Sequence, residues 1–172
     1  MHYIDHHCYR TLGGRLELAA FNRCINRACA LIDSATFNRV KKMAEELTAE
    51  ELKIARAEWE NAMVEWEENI KTIPELPKPA EPTESTVENK VLKRLPTEVK
   101  ALCRELVDYL DACSAPVLTS RSQSSGGVSE SESYATKSQE EQAQDIENMI
   151  CDYLLPVSDN KGTPLLYRGC VL

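Results

Sequence analysis

The sequence lacks long apolar runs, and its longest apolar stretch, 28–32, has only five residues. Crossing a bilayer as a helix takes about 20 predominantly apolar residues, so this stretch is too short. The first residues are polar and rich in histidine and lack the apolar core of a signal peptide. Cys170 stands third from the end, whereas prenylation needs a cysteine fourth from the end. We therefore expect a soluble chain without a lipid anchor.

The chain has only three histidines, and all of them lie within the first seven positions, as His2, His6 and His7. No histidine remains further along the chain to activate a serine or cysteine nucleophile. The sequence also has no Glu-x-x-His or His-Glu-x-x-His pattern for a metal and no Gly-x-x-x-x-Gly-Lys loop for a phosphate. We therefore predict that the chain is not an enzyme and has no catalytic, cofactor-binding or metal-binding residues.

One short motif suggests an enzyme instead, because Asp5-His6-His7-Cys8 is the signature of protein palmitoyltransferases. In those enzymes the cysteine carries the acyl group, and the motif lies in a zinc-bound domain between membrane spans. The seven cysteines here show no Cys-x-x-Cys pairing and no zinc-finger spacing. A motif without its structural context is weak evidence, so we assign it no acyl or metal role. Adventitious metal binding by the three histidines remains a minor alternative.

The odd number of cysteines, seven at irregular spacing, favours reduced thiols in a reducing cytosol. Several of them fall on apolar helix faces, where a thiol acts as a small hydrophobic side chain.

Aromatic residues make up only 6% of the chain, and the apolar positions recur at the spacing of helices rather than strands. A helix is predicted from Glu17 to about Thr36, and another begins at Pro96-Thr97 and ends by Pro116. A capping box, Ser138-Gln139-Glu140-Glu141, opens a third helix that Pro156 terminates. We therefore predict an all-α fold, a small helical bundle formed by residues 17–43 and 95–172.

Residues 44–70 are strongly acidic, with nine glutamates against two basic residues. Thr48-Ala49-Glu50-Glu51 has the form of a capping box and predicts a helix start. An apolar seam follows at helical spacing, and it is formed by Leu52, Ala55, Trp59, Ala62, Trp66 and Ile70. We call this set the Trp seam and interpret it as packing surface, of which coiled-coil pairing with a partner is one form. Four prolines stiffen the following linker.

Three further segments are predicted to be irregular. Gly13-Gly14 breaks regular structure, so residues 1–16 are expected to form an N-terminal arm. Residues 117–138 are dominated by Ser, Gly and Glu and are expected to form a long exposed loop. The third segment is the C-terminal tail, residues 156–172.

Charge is distributed unevenly, because residues 1–42 carry seven Lys or Arg against three Asp or Glu. Such asymmetry favours contacts between oppositely charged surfaces of sister subunits or partners. Arg23, Arg27 and Arg39 form a basic strip without interleaved aromatics, which makes tight direct DNA binding improbable.

The order of motifs resembles the head–tail connector, or adaptor, proteins of long-tailed bacteriophages. Residues 27–39 resemble that family's Arg-Ala-Ser-x-x-Ile-Asp-x-x-Thr-Phe-x-Arg run, and 99–110 resemble its Val-Lys-x-Ala-x-Cys-Glu-Leu-Ala-Asp helix. The stretch 125–134 is similar to its Ser-Glu-Ser-x-Gly-x-Tyr-Ser-Val loop. Leu165-Leu166-Tyr167-Arg168-Gly169 matches its closing Leu-Leu-Tyr-Arg-Gly. Residues 44–94 depart from the pattern and look like an inserted helix with a Pro-rich linker.

The resemblance implies a structural virion protein without a cofactor, assembled in the host cytoplasm and placed at the head–tail interface. Copies would form a homo-oligomeric, dodecameric ring under the portal protein and receive the stopper or tail-completion protein. The ring would extend the channel for DNA, which passes without sequence-specific binding. The alternative is a cytosolic helical adaptor that pairs with another protein through the Trp seam.

The resemblance also suggests which residues make contacts between proteins. Two leucines and a tyrosine lie near a chain end, where burying them against another surface would be favourable. The tail is therefore predicted to dock on the portal or a neighbouring subunit through Leu165, Leu166, Tyr167, Arg168 and Gly169. Folding of this tail onto its own bundle is the open alternative. The predicted inter-subunit or channel loop contains Ser125, Gly126, Gly127, Val128, Ser129 and Tyr134.

Overall fold

The computed structural model describes residues 2–71, 73, 76–114, 117–124, 129–135 and 137–166. Six α-helices lie in these ranges, together with one two-stranded antiparallel hairpin. The helices are α1 (His6–Thr11), α2 (Leu18–Ala35), α3 (Arg39–Asn69), α4 (Glu84–Arg94), α5 (Thr97–Ser114) and α6 (Gln139–Leu154). The strands are β1 (Val117–Ser124) and β2 (Ser129–Ala135). The all-α class predicted from the sequence is confirmed for the helical body.

Helices α2, α5 and α6 form the centre of the bundle, with α5 packed between the other two. The apolar faces predicted for α2 and α5 are buried, apart from a few residues at their ends. On α6 the buried side chains are Ile146, Ile150 and Leu154. The predicted cap of α6 is also present, since the Ser138 hydroxyl accepts from the Glu141 amide at 3.1 Å. Periodicity and capping chemistry therefore located these three helices correctly.

The N-terminal segment is not an arm, because its side chains lie in the core. Tyr3, Ile4 and Tyr9 are at most 2% exposed, and residues 6–11 form α1. Gly14 explains part of this arrangement, since a Cβ atom added there would lie 2.2 Å from the Tyr9 ring. The glycine pair lets the chain fold back closely over an aromatic ring, rather than releasing it into solvent.

The boundary predicted at residue 44 falls inside α3, which is one continuous helix from Arg39. The capping box predicted at Thr48 is wrong, because the Thr48 hydroxyl donates to the Ala44 carbonyl at 2.8 Å within the helix. The first turns bury Val40, Met43, Ala44 and Leu47 in the common core. Only the later part of α3, together with the linker, extends beyond that core.

The long loop predicted at 117–138 instead contains the hairpin of β1 and β2. Backbone pairing places Ser122 opposite Ser131 and Gln123 opposite Glu130, with an irregularity between Leu118 and Ser120. Alternation of Ser and Glu in the sequence 129–133 has the period of a strand. Low hydrophobicity had suggested a loop, but hydrogen bonds between backbone groups do not require apolar side chains.

Candidate interaction surfaces

The palmitoyltransferase-like motif forms the first turn of α1. Asp5 is the N-cap, and its carboxylate accepts a hydrogen bond from the Cys8 amide at 2.6 Å. His6 Nε2 donates to the Leu16 carbonyl at 3.1 Å, and its ring packs edge-on against Phe21. Asp5 thus caps the start of α1, and His6 helps to hold the N-terminal segment against α2.

Cys8 has the electrostatics of a structural thiol rather than of a nucleophile. Burial raises its pKa, and the neighbouring Asp5 carboxylate raises it further, whereas Lys100 lowers it. Reactive cysteines are activated by the opposite change, a lowered pKa that yields the thiolate at neutral pH. The motif therefore offers a helix cap and a partly buried thiol.

Two tyrosine hydroxyls connect the N-terminal segment to the bundle. Tyr3 donates to the Asp33 carboxylate on α2, and Tyr9 donates to the Asp108 carboxylate on α5. The Tyr9 oxygen also accepts from the backbone amides of Arg15 and Leu16, at 3.0 Å each. Buried hydroxyls satisfied in this way fix the position of a segment that sequence periodicity could not place.

The C-terminal tail returns to the bundle before the described residues end. Leu165 is fully buried, and its amide donates to the Val157 carbonyl at 2.9 Å. Arg39 Nη1 donates to the Pro164 carbonyl at 2.6 Å. The docking role predicted for Leu165 is therefore wrong, because its side chain already lies in its own core. Leu166 is partly buried against the same core, and Tyr167, Arg168 and Gly169 lie outside the described residues.

The turn between α2 and α3 has an unusual backbone. Phe37 and Asn38 both have positive φ angles, 50° and 59°, and the Phe37 side chain is 58% exposed. A bulky residue in this left-handed region is strained by roughly 1–3 kcal/mol. Strain together with an exposed aromatic ring marks Phe37 as a candidate contact residue, which sequence reasoning noted only as part of a motif.

The basic strip does not form one continuous surface. Arg23 and Arg27 are exposed on α2, and Arg23 forms an ion pair with Asp111 at 3.5 Å. Arg39 lies at the opposite end of α2, where it holds the tail. Only the first two arginines therefore remain candidates for contact with another molecule.

The Trp seam faces its own linker. Trp59 Nε1 donates to the Pro79 carbonyl at 3.2 Å, and Trp66 Nε1 donates to the Leu76 carbonyl at 3.0 Å. Both rings are half-buried. The packing interpretation of the seam is therefore confirmed, with a segment of the same chain as the partner.

The predicted inter-subunit loop lies mostly outside the described residues. Ser125, Gly126, Gly127 and Val128 are not described, whereas Ser129 and Tyr134 belong to β2. Tyr134 pairs with Leu118 across the hairpin. The backbone of this region is thus ordered as strands on both sides of the glycine pair.

None of the helices in the described part of the chain is long and apolar enough to cross a membrane. No protein-family model matches the sequence, and no curated protein or solved structure matches it.

Proposed function

We propose that the chain is a head–tail connector protein of a long-tailed bacteriophage. In this proposal, copies form a ring under the portal protein in the assembling virion. The ring extends the DNA channel and presents a docking platform to the stopper or tail-completion protein. The chain contributes surfaces and no chemistry, so the proposal includes neither catalysis nor a cofactor.

The observation that carries the proposal is that segments resembling the connector family meet in one core. The 27–39 run covers the second half of α2 and the turn after it, while the 99–110 run lies within α5. These two helices pack together, and the Cys29 and Cys103 Sγ atoms lie 4.0 Å apart between them. The closing Leu165 is buried in the same core, where Arg39 contacts the residue before it.

This arrangement supports the resemblance because the matching segments are far apart in sequence. Chance likeness of short helical patterns would not require them to be neighbours in space. The pairing of Arg39 with Pro164 joins two positions 125 residues apart, the last residue of the first matching run and the residue just before the closing run. Three of the matching segments therefore lie in one structural unit of this chain, which supports the proposal.

The charge of the chain is compatible with a DNA channel. Its net charge is −8, and the nucleic-acid phosphate backbone is captured chiefly by clustered Lys and Arg. Arg23 is already paired with Asp111, and Arg39 is engaged with the tail. A weakly charged or acidic bore would let DNA pass without holding it.

The alternative, a cytosolic adaptor that pairs through the Trp seam, has less support. The indole N–H groups of both tryptophans donate to carbonyls of the chain's own linker. A partner helix on this seam would have to displace that linker first.

Co-sedimentation with the portal protein of the same phage tests the proposal. The full chain should sediment with assembled portal and remain in the supernatant without it. A control variant, His7→Ala, should bind the portal as well as the wild type does, because His7 is exposed and has no assigned role. Recovery of the full chain in the supernatant at all portal concentrations would refute the connector role.

A further inference from the structure

The later part of α3 has a second, mostly apolar seam, on the side opposite the tryptophans. It consists of Ile54, Ala57, Asn61 and Val64, all of them exposed. Ile54 is 49% exposed and Val64 is 59% exposed. The spacing of three, four and three residues places the four side chains on one helix face, as in a coiled-coil seam. We call this set the outer seam.

Glutamates flank the outer seam on both sides. Glu58 and Glu65 lie along one edge, while Glu60 and Glu67 lie along the other, and all four are exposed. In coiled coils the charges at these flanking positions select the partner and its orientation. Two outer seams facing each other would oppose glutamate to glutamate, so the seam disfavours pairing with itself.

The same chain carries a surface of complementary charge on α2. The residues that share its exposed face are Ala19, Arg23, Arg27, Ala30 and Ser34. We call this face the α2 stripe. Its alanines and serine are small and permit close approach of another helix, while its two arginines supply positive charge. The Arg23 side chain is 69% exposed and would share its ion pair with Asp111 when it meets a neighbour's glutamates. At a rise of about 1.5 Å per residue the stripe is about 22 Å long and the outer seam about 15 Å long.

We propose that the outer seam of one copy docks on the α2 stripe of a second copy. Glu58 and Glu65 would then face Arg23 and Arg27 across the contact, and Ile54 and Val64 would lie over the small residues. The occupant is another copy because this chain itself presents the complementary surface. The glutamate edges disfavour a seam-to-seam dimer, and the two arginines likewise disfavour a stripe-to-stripe dimer.

Such a contact is heterologous, since each copy contributes its outer seam to one neighbour and its α2 stripe to the other. Heterologous contacts repeat from copy to copy and close into a ring when the rotation between copies permits. The inference rests on the self-assembly part of the proposed function and gives the acidic part of α3 a role as the arm that links neighbouring subunits.

Charge reversal tests the contact in the full chain without portal. One variant carries Glu58→Lys and Glu65→Lys, and a second carries Arg23→Glu and Arg27→Glu. A matched control, Glu88→Lys with Asp152→Lys, changes net charge as the first variant does, at exposed positions on α4 and α6. Sedimentation velocity over a range of protein concentrations, at roughly 50 and 500 mM salt, measures assembly of each protein.

The wild type and the control should form larger species at high concentration, with less assembly at high salt. Each reversed variant alone should remain monomeric where the wild type assembles, which corresponds to at least a tenfold weaker association. An equimolar mixture of the two reversed variants should assemble again, because each then offers the charge that the other needs. Circular dichroism should show that both variants keep the helical fold.

The inference is overturned if the wild type stays monomeric throughout, or if the reversed variants assemble as the wild type does. A mixture that fails to recover assembly overturns it as well. Should the Arg23 and Arg27 variant fail to fold, comparison of the Glu58 and Glu65 variant with its control decides the question. Portal binding is measured separately, so loss of this contact and loss of the connector role can be distinguished.

Discussion

Arg39 donates a hydrogen bond to the Pro164 carbonyl at 2.6 Å and so fastens the C-terminal tail to the turn between α2 and α3. The next residue, Leu165, is fully buried, which makes the tail part of the bundle at this point. The tail and the strained Phe37-Asn38 turn therefore lie at the same end of α2. Any contact made by this end of the molecule would involve both.

Replacing Leu165 with alanine should destabilise the bundle. Removing a buried leucine side chain costs about 2–5 kcal/mol through lost burial and the cavity left behind. The matched control is Leu155→Ala, because Leu155 is 52% exposed and its loss should cost far less. Urea unfolding followed by circular dichroism measures both, and equal losses in the two variants would contradict the position of Leu165 in the core.

Stability should fall at alkaline pH because of two buried tyrosines. Burial raises the pKa of Tyr3 and of Tyr9, and their hydrogen bonds to Asp33 and Asp108 raise it further. A group with a raised pKa in the folded state stabilises it below the unfolded value, and this contribution disappears as pH rises above about 10. Urea unfolding at about pH 8 and about pH 11 should show this loss.

The double variant Tyr3→Phe with Tyr9→Phe provides the comparison. It should be less stable at neutral pH, by about 1 kcal/mol for each lost hydrogen bond. Its further loss on going to alkaline pH should be smaller than that of the wild type, because neither phenylalanine can ionise. An equally steep loss in both proteins would show that other groups cause the alkaline sensitivity.

Phe37→Gly tests whether the exposed ring of Phe37 contributes to portal binding rather than to stability. Glycine adopts positive φ without strain, so the variant should be at least as stable as the wild type in a thermal melt. If the exposed ring contacts the portal, co-sedimentation with portal should weaken by at least tenfold. Ala20→Gly, placed in the first turn of α2, controls for a general effect of added glycine and should destabilise by at most roughly 1 kcal/mol. Portal binding unchanged by Phe37→Gly would remove Phe37 from the contact.

Two deletions should distinguish the core part of α3 from its extension. Residues 58–81 contain no buried side chain among those described, so replacing them with a short Gly/Ser bridge should preserve the bundle. Replacing 46–92 should unfold it, because that deletion removes Leu47, Val87, Val91 and Leu92 from the buried set. Thermal melts followed by circular dichroism report both results, and a cooperative melt of the longer deletion near the wild-type temperature would contradict this division.

The sequence predicted those elements in which local signals agree with the tertiary structure. In α2 and α5 the apolar period matches the buried face, and in α6 the Ser138 cap marks the true start. The prediction for α3 was wrong because Thr48 bonds within the helix instead of capping it. A threonine that caps a helix and one that bonds within a helix can have the same local sequence. The buried residues before Thr48 place it within the helix.

The N-terminal segment and Leu165 were misjudged because long-range contacts hold them. Tyr3 reaches Asp33 on another element, and Arg39 reaches Pro164 at the other end of the chain. No periodicity in residues 1–16 signals such contacts. The hairpin was missed because its strands contain few of the β-branched and aromatic residues that usually mark a strand.

Negative-stain imaging of the chain mixed with its own portal tests the connector role most directly. The account predicts a second ring, coaxial with the portal ring and stacked on one of its faces, that is absent from images of portal alone. The 58–81 deletion should be imaged beside the full chain to show whether the extension contributes to that ring. Portal particles that look the same with and without the full chain would contradict the connector assignment.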